Sequence, residues 1–198
     1  MKVVEPIRSK EKIAEVKAIL EKSSMRDLLL FTLPLNVGIR IGDCISLKVS
    51  DVRDKDTIEI REQKTNKRRL LPLNNDIIEL LKRYTKGMND DDYLFPSRQQ
   101  KGLQKTGSNA GTVTDRKTPS HITRQQASVI LTKAFKKAGL KNCNCHSPRK
   151  SFGYWHYQTY KDVAFLMMIF GHSAPSITLR YIGINDDIIK ENLRNFTL

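Results

Sequence analysis

The sequence has 198 residues, 39% of them hydrophobic, which is enough for one domain with a buried core, or one domain with appendages. It carries 35 Lys and Arg against 21 Asp and Glu, a net charge of +14 that favours a polyanionic partner such as nucleic acid. Three sparse cysteines argue against a disulfide scaffold. We also find no signal peptide and no apolar run of the ~18 residues that a membrane span needs, so a cytoplasmic protein without membrane contact is expected.

The N-terminal part of the chain predicts helices. Ser9 can cap a first helix with apolar residues at helical spacing, and a second helix is expected over residues 25–35. Pro34 conflicts with an unbroken helix, because proline weakens a helix interior. Asn36-Val37-Gly38 then predicts a break before a further helix over residues 41–47.

A β-hairpin is expected next. Residues 57–63 and 68–73 are rich in apolar and β-tolerant side chains, and a short polar segment separates them. Asn74 or Asn75 can cap the helix that follows. Residues 93–96, Tyr-Leu-Phe-Pro, predict a short buried segment.

The second half of the chain opens with a segment of different composition. Residues 97–120 are rich in glycine and basic residues and poor in large apolar ones, which is typical of a mobile basic loop; contact with DNA and a plain disordered insertion both fit it. Further helices are predicted over residues 123–138, ended by Gly139, and over residues 147–159, 163–170 and 186–195. The expected fold is a single α+β domain, mainly α, with one small antiparallel β-sheet.

Two short patterns in the first half carry basic side chains. In Gly38-Ile39-Arg40-Ile41-Gly42-Asp43 an arginine opens a helix after a glycine break, and Asp43 lies one turn further on, within its reach. Taken alone, this pattern favours a structural Arg–Asp pair. Lys64 lies at the tip of the predicted hairpin, where an ordinary solvated lysine is the simplest interpretation.

Two patterns in the second half add histidines and a tyrosine. In His146-Ser147-Pro148-Arg149 the proline suits the first turn of a helix, and His146 and Arg149 project to one side of its start. That end of a helix also favours phosphate, although an N-capping arrangement with exposed basic residues is the simpler interpretation. Gly171-His172 is followed by Tyr181, which by itself would be an ordinary core tyrosine.

The order of these patterns along the chain is specific. Arginine, lysine, His-x-x-Arg, Gly-His and tyrosine follow one another between about residues 30 and 184. In this the chain resembles the catalytic domain of the tyrosine recombinases, the phage integrase family, and is similar to its short members. The resemblance implies a helical catalytic domain that cleaves and rejoins double-stranded DNA without a metal or cofactor.

The resemblance also implies a role for each side chain. Tyr181 would be the nucleophile, and Arg40 and Arg149 would clamp the scissile phosphate through their guanidinium forks. Lys64 would protonate the leaving 5′ oxygen, and His146 would assist proton transfer at the tyrosine. The other two carried-over residues would support the phosphate site: His172 by a hydrogen bond to the phosphate, and Asp43 by orienting an arginine.

Several expectations follow for the surroundings of this site. The relatives usually carry an N-terminal DNA-clamping domain, so either this chain is a truncated form or it is a compact enzyme. Lys150 stands where many relatives have histidine. Cys143-Asn144-Cys145-His146 lacks the second Cys/His cluster that a zinc site needs, so no metal is expected and the thiols are bystanders.

The partners implied are duplex DNA and further copies of the chain, as a tetramer on two DNA sites, with a possible accessory directionality factor. The tail, residues 185–198, predicts a helix that packs either on its own core or on a neighbouring subunit. A type IB topoisomerase uses similar residues, and a DNA-binding regulator without catalysis is a third alternative. The regulator is disfavoured because the complete set of candidate catalytic residues is present.

Overall fold

The computed structural model of the chain describes residues 4–61, 68–97, 120–184, 193–194 and 196–197. Lys64 lies outside the described residues. So do residues 98–119, which make up nearly all of the predicted basic loop, and most of the tail at residues 185–198. These three expectations therefore stay predictions.

Two capped helices begin the fold, as the sequence predicts. Helix α1 (Lys10–Ser23) begins at Ser9, whose hydroxyl accepts a hydrogen bond from the backbone N–H of Lys12 at 3.0 Å. Helix α2 (Met25–Val37) follows almost at once, and Ser24 caps it in the same way. Such a cap satisfies an amide group that a helix start leaves without a partner, so a single residue suffices to separate the two helices.

Helix α2 continues through the predicted break. Pro34 lies inside it, and Gly38, in the left-handed conformation with φ 71°, ends it. The proline removes one backbone hydrogen bond. Burial offsets that loss, because Leu30, Leu33, Pro34 and Val37 are all buried. The sequence therefore predicted the end of this helix too early.

Helix α3 (Ile41–Ile45) is shorter than predicted, because the chain leaves the helix to pair with a distant segment. The carbonyl oxygen of Leu47 accepts a hydrogen bond from the backbone N–H of Leu94 at 2.8 Å. Leu94 and Phe95 are completely buried, which confirms the short buried segment predicted over residues 93–96.

The predicted hairpin is present. Strands β1 (Thr57–Arg61) and β2 (Arg68–Pro72) pair antiparallel, with Thr57 opposite Pro72 and Arg61 opposite Arg68. Ile58 and Leu71 face each other across the pair, and both are buried. Among the described residues this two-stranded sheet is the only one.

Two further helices surround α2. Helix α4 (Asn75–Thr85) is capped by Asn74, which resolves the choice between two asparagines that the sequence left open. Helix α5 (Arg124–Lys137) begins at Thr123 within a reciprocal capping box, and Gly139 follows its end in a left-handed conformation. Both helices lie where the sequence predicts them.

Three helices follow in the C-terminal part of the chain that the structure describes. Helices α6 (Ser147–Tyr160) and α7 (Val163–Phe170) match the predictions closely, but helix α8 (Pro175–Ile182) was not predicted. Its Ile-Thr pair is a poor helix former, so local propensity gave little signal. The helix forms because proline suits its first turn and because it buries Thr178 and Ile182.

The described residues form two hydrophobic clusters of unequal size. The main core surrounds α2, which packs against α1, α4, α5 and α6. The smaller one, the aromatic cluster, lies between α6, α7 and α8. It has four fully buried residues, Leu166, Phe170, Ile182 and Ile184, with partly buried neighbours Phe152, Tyr154, Tyr157, Phe165, Ile169, Leu179 and Tyr181.

Within the described ranges, no single helix is long and apolar enough to cross a membrane. Helices α7 and α8 meet the length and composition criteria only as a pair, and they are bent by 84° relative to each other.

Candidate active site

Two arginines that lie far apart in the sequence donate hydrogen bonds to one backbone oxygen. Arg40 precedes α3, and Arg149 lies in the first turn of α6. The Nη2 atoms of Arg40 and Arg149 donate to the carbonyl oxygen of Phe170, at 3.2 and 3.3 Å. Phe170 ends helix α7, where backbone carbonyls carry partial negative charge, so the helix end holds both cations in place.

Arg149 is the more deeply held of the two. Only 6% of it is exposed, its Nη1 donates to the carbonyl oxygen of Gly38, and its guanidinium lies 4.7 Å from the centroid of the Phe170 ring. Burial lowers its pKa to about 10, while a hydrogen bond with Tyr181 opposes that shift. The side chain therefore stays charged at neutral pH in a dry setting, where an anion is attracted strongly.

Asp43 lies where the sequence spacing predicts it. Its carboxylate is 3.9 Å from Nη1 of Arg40 across one helical turn. The side chain of Asp43 is 8% exposed, and that of Arg40 is 34% exposed. A buried carboxylate that supports a half-exposed guanidinium can orient it toward a ligand without reacting itself.

His146 stands at the start of α6, without a capping hydrogen bond from its side chain. Partial burial lowers its pKa, and the positive charges of Lys150, Arg149 and Arg124 lower it further. The imidazole is therefore neutral at pH 7, which is the state that can accept a proton.

His172 follows α7 and is held by α8. Its Nδ1 lies 3.0 Å from the hydroxyl oxygen of Thr178, which is completely buried. Burial lowers the pKa of His172, as do the charges of Arg149 and Arg40. With one ring nitrogen engaged by Thr178, the other is left as the hydrogen-bonding group that a phosphate would meet.

Tyr181 lies in the last turn of α8, beside the two arginines. Its ring centroid is 5.1 Å from that of Phe170 and 5.2 Å from that of His172, both in edge-to-face geometry. Burial raises the pKa of its phenol, and the charge and hydrogen bond of Arg149, with the charge of Arg40, act in the opposite direction. The phenol is therefore protonated at neutral pH and must lose its proton to become a nucleophile.

Two residues that the sequence interpretation did not assign to the site also belong to it. Thr178 orients His172, and Arg69 on β2 donates from Nη1 to the carbonyl oxygens of Met168 and Ile169. Arg69 therefore attaches the hairpin to the C-terminal end of α7, near Gly171, where an added Cβ would lie 2.8 Å from its Nη2. The sequence offered only weak signals for either residue, since both contacts join separate elements.

The structure thus brings together Arg40, Asp43, Arg149, His172 and Tyr181 through direct contacts, and places His146 near the charge of Arg149. In the part of the chain that the structure describes, no three His, Cys, Asp or Glu side chains form a group that could hold a metal ion. Cys143 and Cys145 are free thiols whose pKa values burial raises, so both are protonated at neutral pH.

Comparison with known proteins identifies the family. The model of the phage integrase family matches residues 9–187. The chain is 40% identical over 196 residues to the probable integrase/recombinase YoeC of Bacillus subtilis, covering 99% of this chain and 98% of that protein. It is 24% identical over 192 residues to tyrosine recombinase XerA of Pyrococcus furiosus, covering 96% of this chain but 61% of the relative.

The fold agrees with this assignment. A crystal structure of a lambda integrase fragment (residues 75-356), a dimer bound to a COC' core site, superposes with a TM-score of 0.64 at 17% identity, covering 93% of this chain and 62% of that one. At this identity the match concerns the fold alone. The family match over most of the sequence decides the assignment: the chain belongs to the phage integrase family of tyrosine-type site-specific recombinases, enzymes that cleave and rejoin DNA.

Proposed function

We propose that this chain cleaves and rejoins duplex DNA at a specific site through a 3′-phosphotyrosyl bond to Tyr181. One observation carries the proposal. Arg40 and Arg149 share the carbonyl oxygen of Phe170, and the ring of Tyr181 packs against that same residue. Two guanidinium cations and a phenol ring therefore lie together at one helix end, which supports the proposal.

The arginines would bind the scissile phosphate and stabilise the transition state. A guanidinium fork can donate two hydrogen bonds to the non-bridging oxygens at once, and a lysine would keep the charge but lose the fork. The arginine charge acts where negative charge builds up during attack, in a site that excludes much of the water. His172 would add a hydrogen bond to the same phosphate.

Proton transfer would divide between two residues. The phenol of Tyr181 attacks phosphorus as neutral His146 accepts its proton, and the bond from phosphorus to the 5′ oxygen breaks. Lys64, assigned by family resemblance, would protonate that leaving oxygen. The products are a phosphotyrosyl ester and a 5′ hydroxyl, and the ester keeps the energy needed to rejoin strands without ATP or a metal.

The proposed partners are duplex DNA and other copies of the chain. A lambda integrase fragment of the same fold is a dimer on its core site, and the net charge of +14 here suits a DNA surface. We further propose a tetramer on two DNA sites, because strand exchange needs a second duplex whose 5′ hydroxyl attacks the ester. The C-terminal tail and an accessory directionality factor are candidates for regulating that assembly.

The proposal is tested with nicked suicide duplexes, whose sequences come from the genomic DNA on either side of the gene that encodes this chain. The expected result is a protein–DNA adduct that survives denaturation in the parent protein and is absent in Tyr181→Phe. Tyr157→Phe is the matched control, since Tyr157 belongs to the same aromatic cluster, and it should form the adduct normally.

An adduct that persists in Tyr181→Phe would contradict the assignment of the nucleophile. Relaxation of supercoils without exchange between two duplexes would instead favour topoisomerase activity. No difference between Tyr181→Phe and the parent in any cellular assay would favour a DNA-binding regulator.

A further inference from the structure

We propose that Lys150 is a positioning residue that holds the ring of the nucleophile Tyr181 in its attacking orientation, with its own position fixed by the backbone of the N-terminal segment. The inference rests on the proposed function. It concerns a contact between α6 and α8 that the phosphate clamp and the proton-transfer residues do not use.

The ammonium of Lys150 lies over a face of the Tyr181 ring. Its Nζ is 4.9 Å from the ring centroid, within the range of a cation–π interaction. Phe170 and His172 meet the same ring at interplanar angles of 62° and 73°, in edge-to-face contacts. The lysine thus adds a contact of a different kind, which restricts rotation of the ring out of the site.

Lys150 is itself held by the chain's N-terminal segment. Its Nζ donates to the carbonyl oxygen of Val4 at 2.9 Å. Residues 4–8, which we call the N-terminal strap, are fixed in turn to α6, because the backbone N–H of Ile7 donates to the hydroxyl oxygen of Ser151 at 2.7 Å. The indole N–H of Trp155 donates to the carbonyl oxygen of Ile7 at 3.0 Å.

The strap also contacts the end of the nucleophile's helix. The Nη2 atom of Arg8 donates to the carbonyl oxygen of Gly183, just after α8, at 2.8 Å. The same guanidinium lies 5.3 Å from the ring centroid of Tyr154 on α6. One short segment therefore fixes both the lysine over the nucleophile and the turn that follows the nucleophile.

The contact orients the ring and does not lower the pKa of the phenol of Tyr181, although the charge of Lys150 does help to lower the pKa of His146. The groups that oppose the raised pKa of Tyr181 are Arg149 and Arg40, and the ammonium of Lys150 faces the ring. Attack on a phosphate depends steeply on alignment, and misplacement by about 1 Å can cost about 100-fold in rate. Lys150 should therefore change the rate of cleavage of bound DNA more than it changes the binding of DNA.

The test is single-turnover adduct formation at saturating protein and about pH 8, where burial and the remaining charges keep His146 neutral in every variant. It uses the suicide duplex that the parent cleaves best, with DNA Kd measured in parallel. Lys150→Met removes the cation and the hydrogen bond to Val4. Lys150→Gln removes the cation but keeps a donor for that carbonyl, and Lys150→Arg keeps both. Lys161→Met is the matched control, since Lys161 lies 5.3 Å from the ring centroid of Tyr157, away from the nucleophile.

Lys150→Met and Lys150→Gln should both slow cleavage about 10-fold to 100-fold with little change in Kd, because alignment is lost while phosphate contacts remain. Lys150→Arg should restore most of the rate, and Lys161→Met should match the parent. Parent-like cleavage by either Lys150→Met or Lys150→Gln would overturn the inference, as would a loss that Lys150→Arg fails to rescue. If the parent itself formed no adduct, the proposed function would fail, and the inference with it.

Discussion

The two hydrophobic clusters differ in what they contribute to the site. The main core is built largely from aliphatic side chains that are almost completely buried around α2. The aromatic cluster has four buried residues, and its other members, Tyr181 among them, are only partly buried. Arg40 and Arg149 lie where the two meet. Arg40 reaches from the start of α3, in the main core, to the end of α7, while Arg149, on α6 of the aromatic cluster, also donates to the carbonyl oxygen of Gly38 at the end of α2.

This difference indicates that one cluster provides rigid support and the other permits movement. A close-packed core gives a rigid support to Arg40 and, through the carbonyl of Gly38, to Arg149, the two arginines proposed to bind phosphate. A small cluster with only four fully buried residues has less burial to stabilise it, so its helices can move at lower cost. The second kind of support suits the role proposed for Tyr181, because a nucleophile must attack, stay covalently attached and later leave.

The largest expected effect on DNA cleavage comes from replacing Arg149, whose side chain contacts both clusters through Gly38 and Phe170. Arg149→Lys should lower adduct formation about 1000-fold, because a lysine cannot bind Gly38, Phe170 and a phosphate with one planar fork. Non-specific DNA binding should be nearly unchanged. Arg83→Lys, on the exposed face of α4, is the control and should cleave normally. Strong adduct formation by Arg149→Lys would count against the clamp.

A pair of leucine truncations compares the clusters directly. Leu30 in the main core and Leu166 in the aromatic cluster are both fully buried. Leu30→Ala should lower the free energy of unfolding by about 3 kcal/mol or more, and Leu166→Ala by about 2 kcal/mol, because the partly buried neighbours of Leu166 can collapse further into the cavity. Urea unfolding measures both. Equal losses would mean that the aromatic cluster is as rigid as the main core.

Gly38 tests how the main core supports Arg149. Its φ is +71°, and an added Cβ would lie 2.6 Å from a ring carbon of Phe152. Gly38→Ala should cost about 2 kcal/mol of stability, and it should slow cleavage by moving the carbonyl that holds Arg149. Gly139→Ala is the control, since Gly139 has the same φ in a more open setting.

Gly139→Ala should cost about 1 kcal/mol from the backbone conformation alone and leave the cleavage rate unchanged. Cleavage by Gly38→Ala at the parent rate, despite the measured loss of stability, would show that Arg149 does not depend on that carbonyl.

The smallest expected effect concerns pH. The pKa of His146 is lowered in the folded state, so below the ordinary value of about 6.5 the unfolded chain binds the extra proton first. His146 therefore destabilises the fold as the pH falls from about 6.5 toward its lowered pKa. For the same reason, the fall in the cleavage rate at low pH, which we call the acid limb, should lie below about pH 6.5 when it is measured at sub-saturating protein.

Arg124→Gln removes one of the charges that lower the pKa of His146, so the acid limb should move a little toward higher pH. Lys133→Gln, at an exposed position further along α5, should leave the profile unchanged. An acid limb that stays in place in Arg124→Gln would show that another group controls it.

Much of the fold could be predicted from the sequence because its signals are local. Capping residues such as Ser9, Thr123 and Asn74 lie next to the helices they begin, and apolar spacing identified the hairpin and most helices. The order of the candidate catalytic residues along the chain carried the resemblance to the family, which the comparisons confirm, while the role of each residue stays a proposal. The spacing of Arg40 and Asp43 within one turn predicted their contact.

The tertiary structure decided what local signals could not. Helix α8, which carries Tyr181, forms where propensity is weak, because burial against α6 and α7 stabilises it. Lys150 reaches the ring of Tyr181 only because the strap and α8 pack on either side of it. The carbonyl oxygen of Phe170 accepts a hydrogen bond from Arg40, which lies 130 positions earlier in the chain. No local pattern encodes such a contact, because it depends on how separate helices pack.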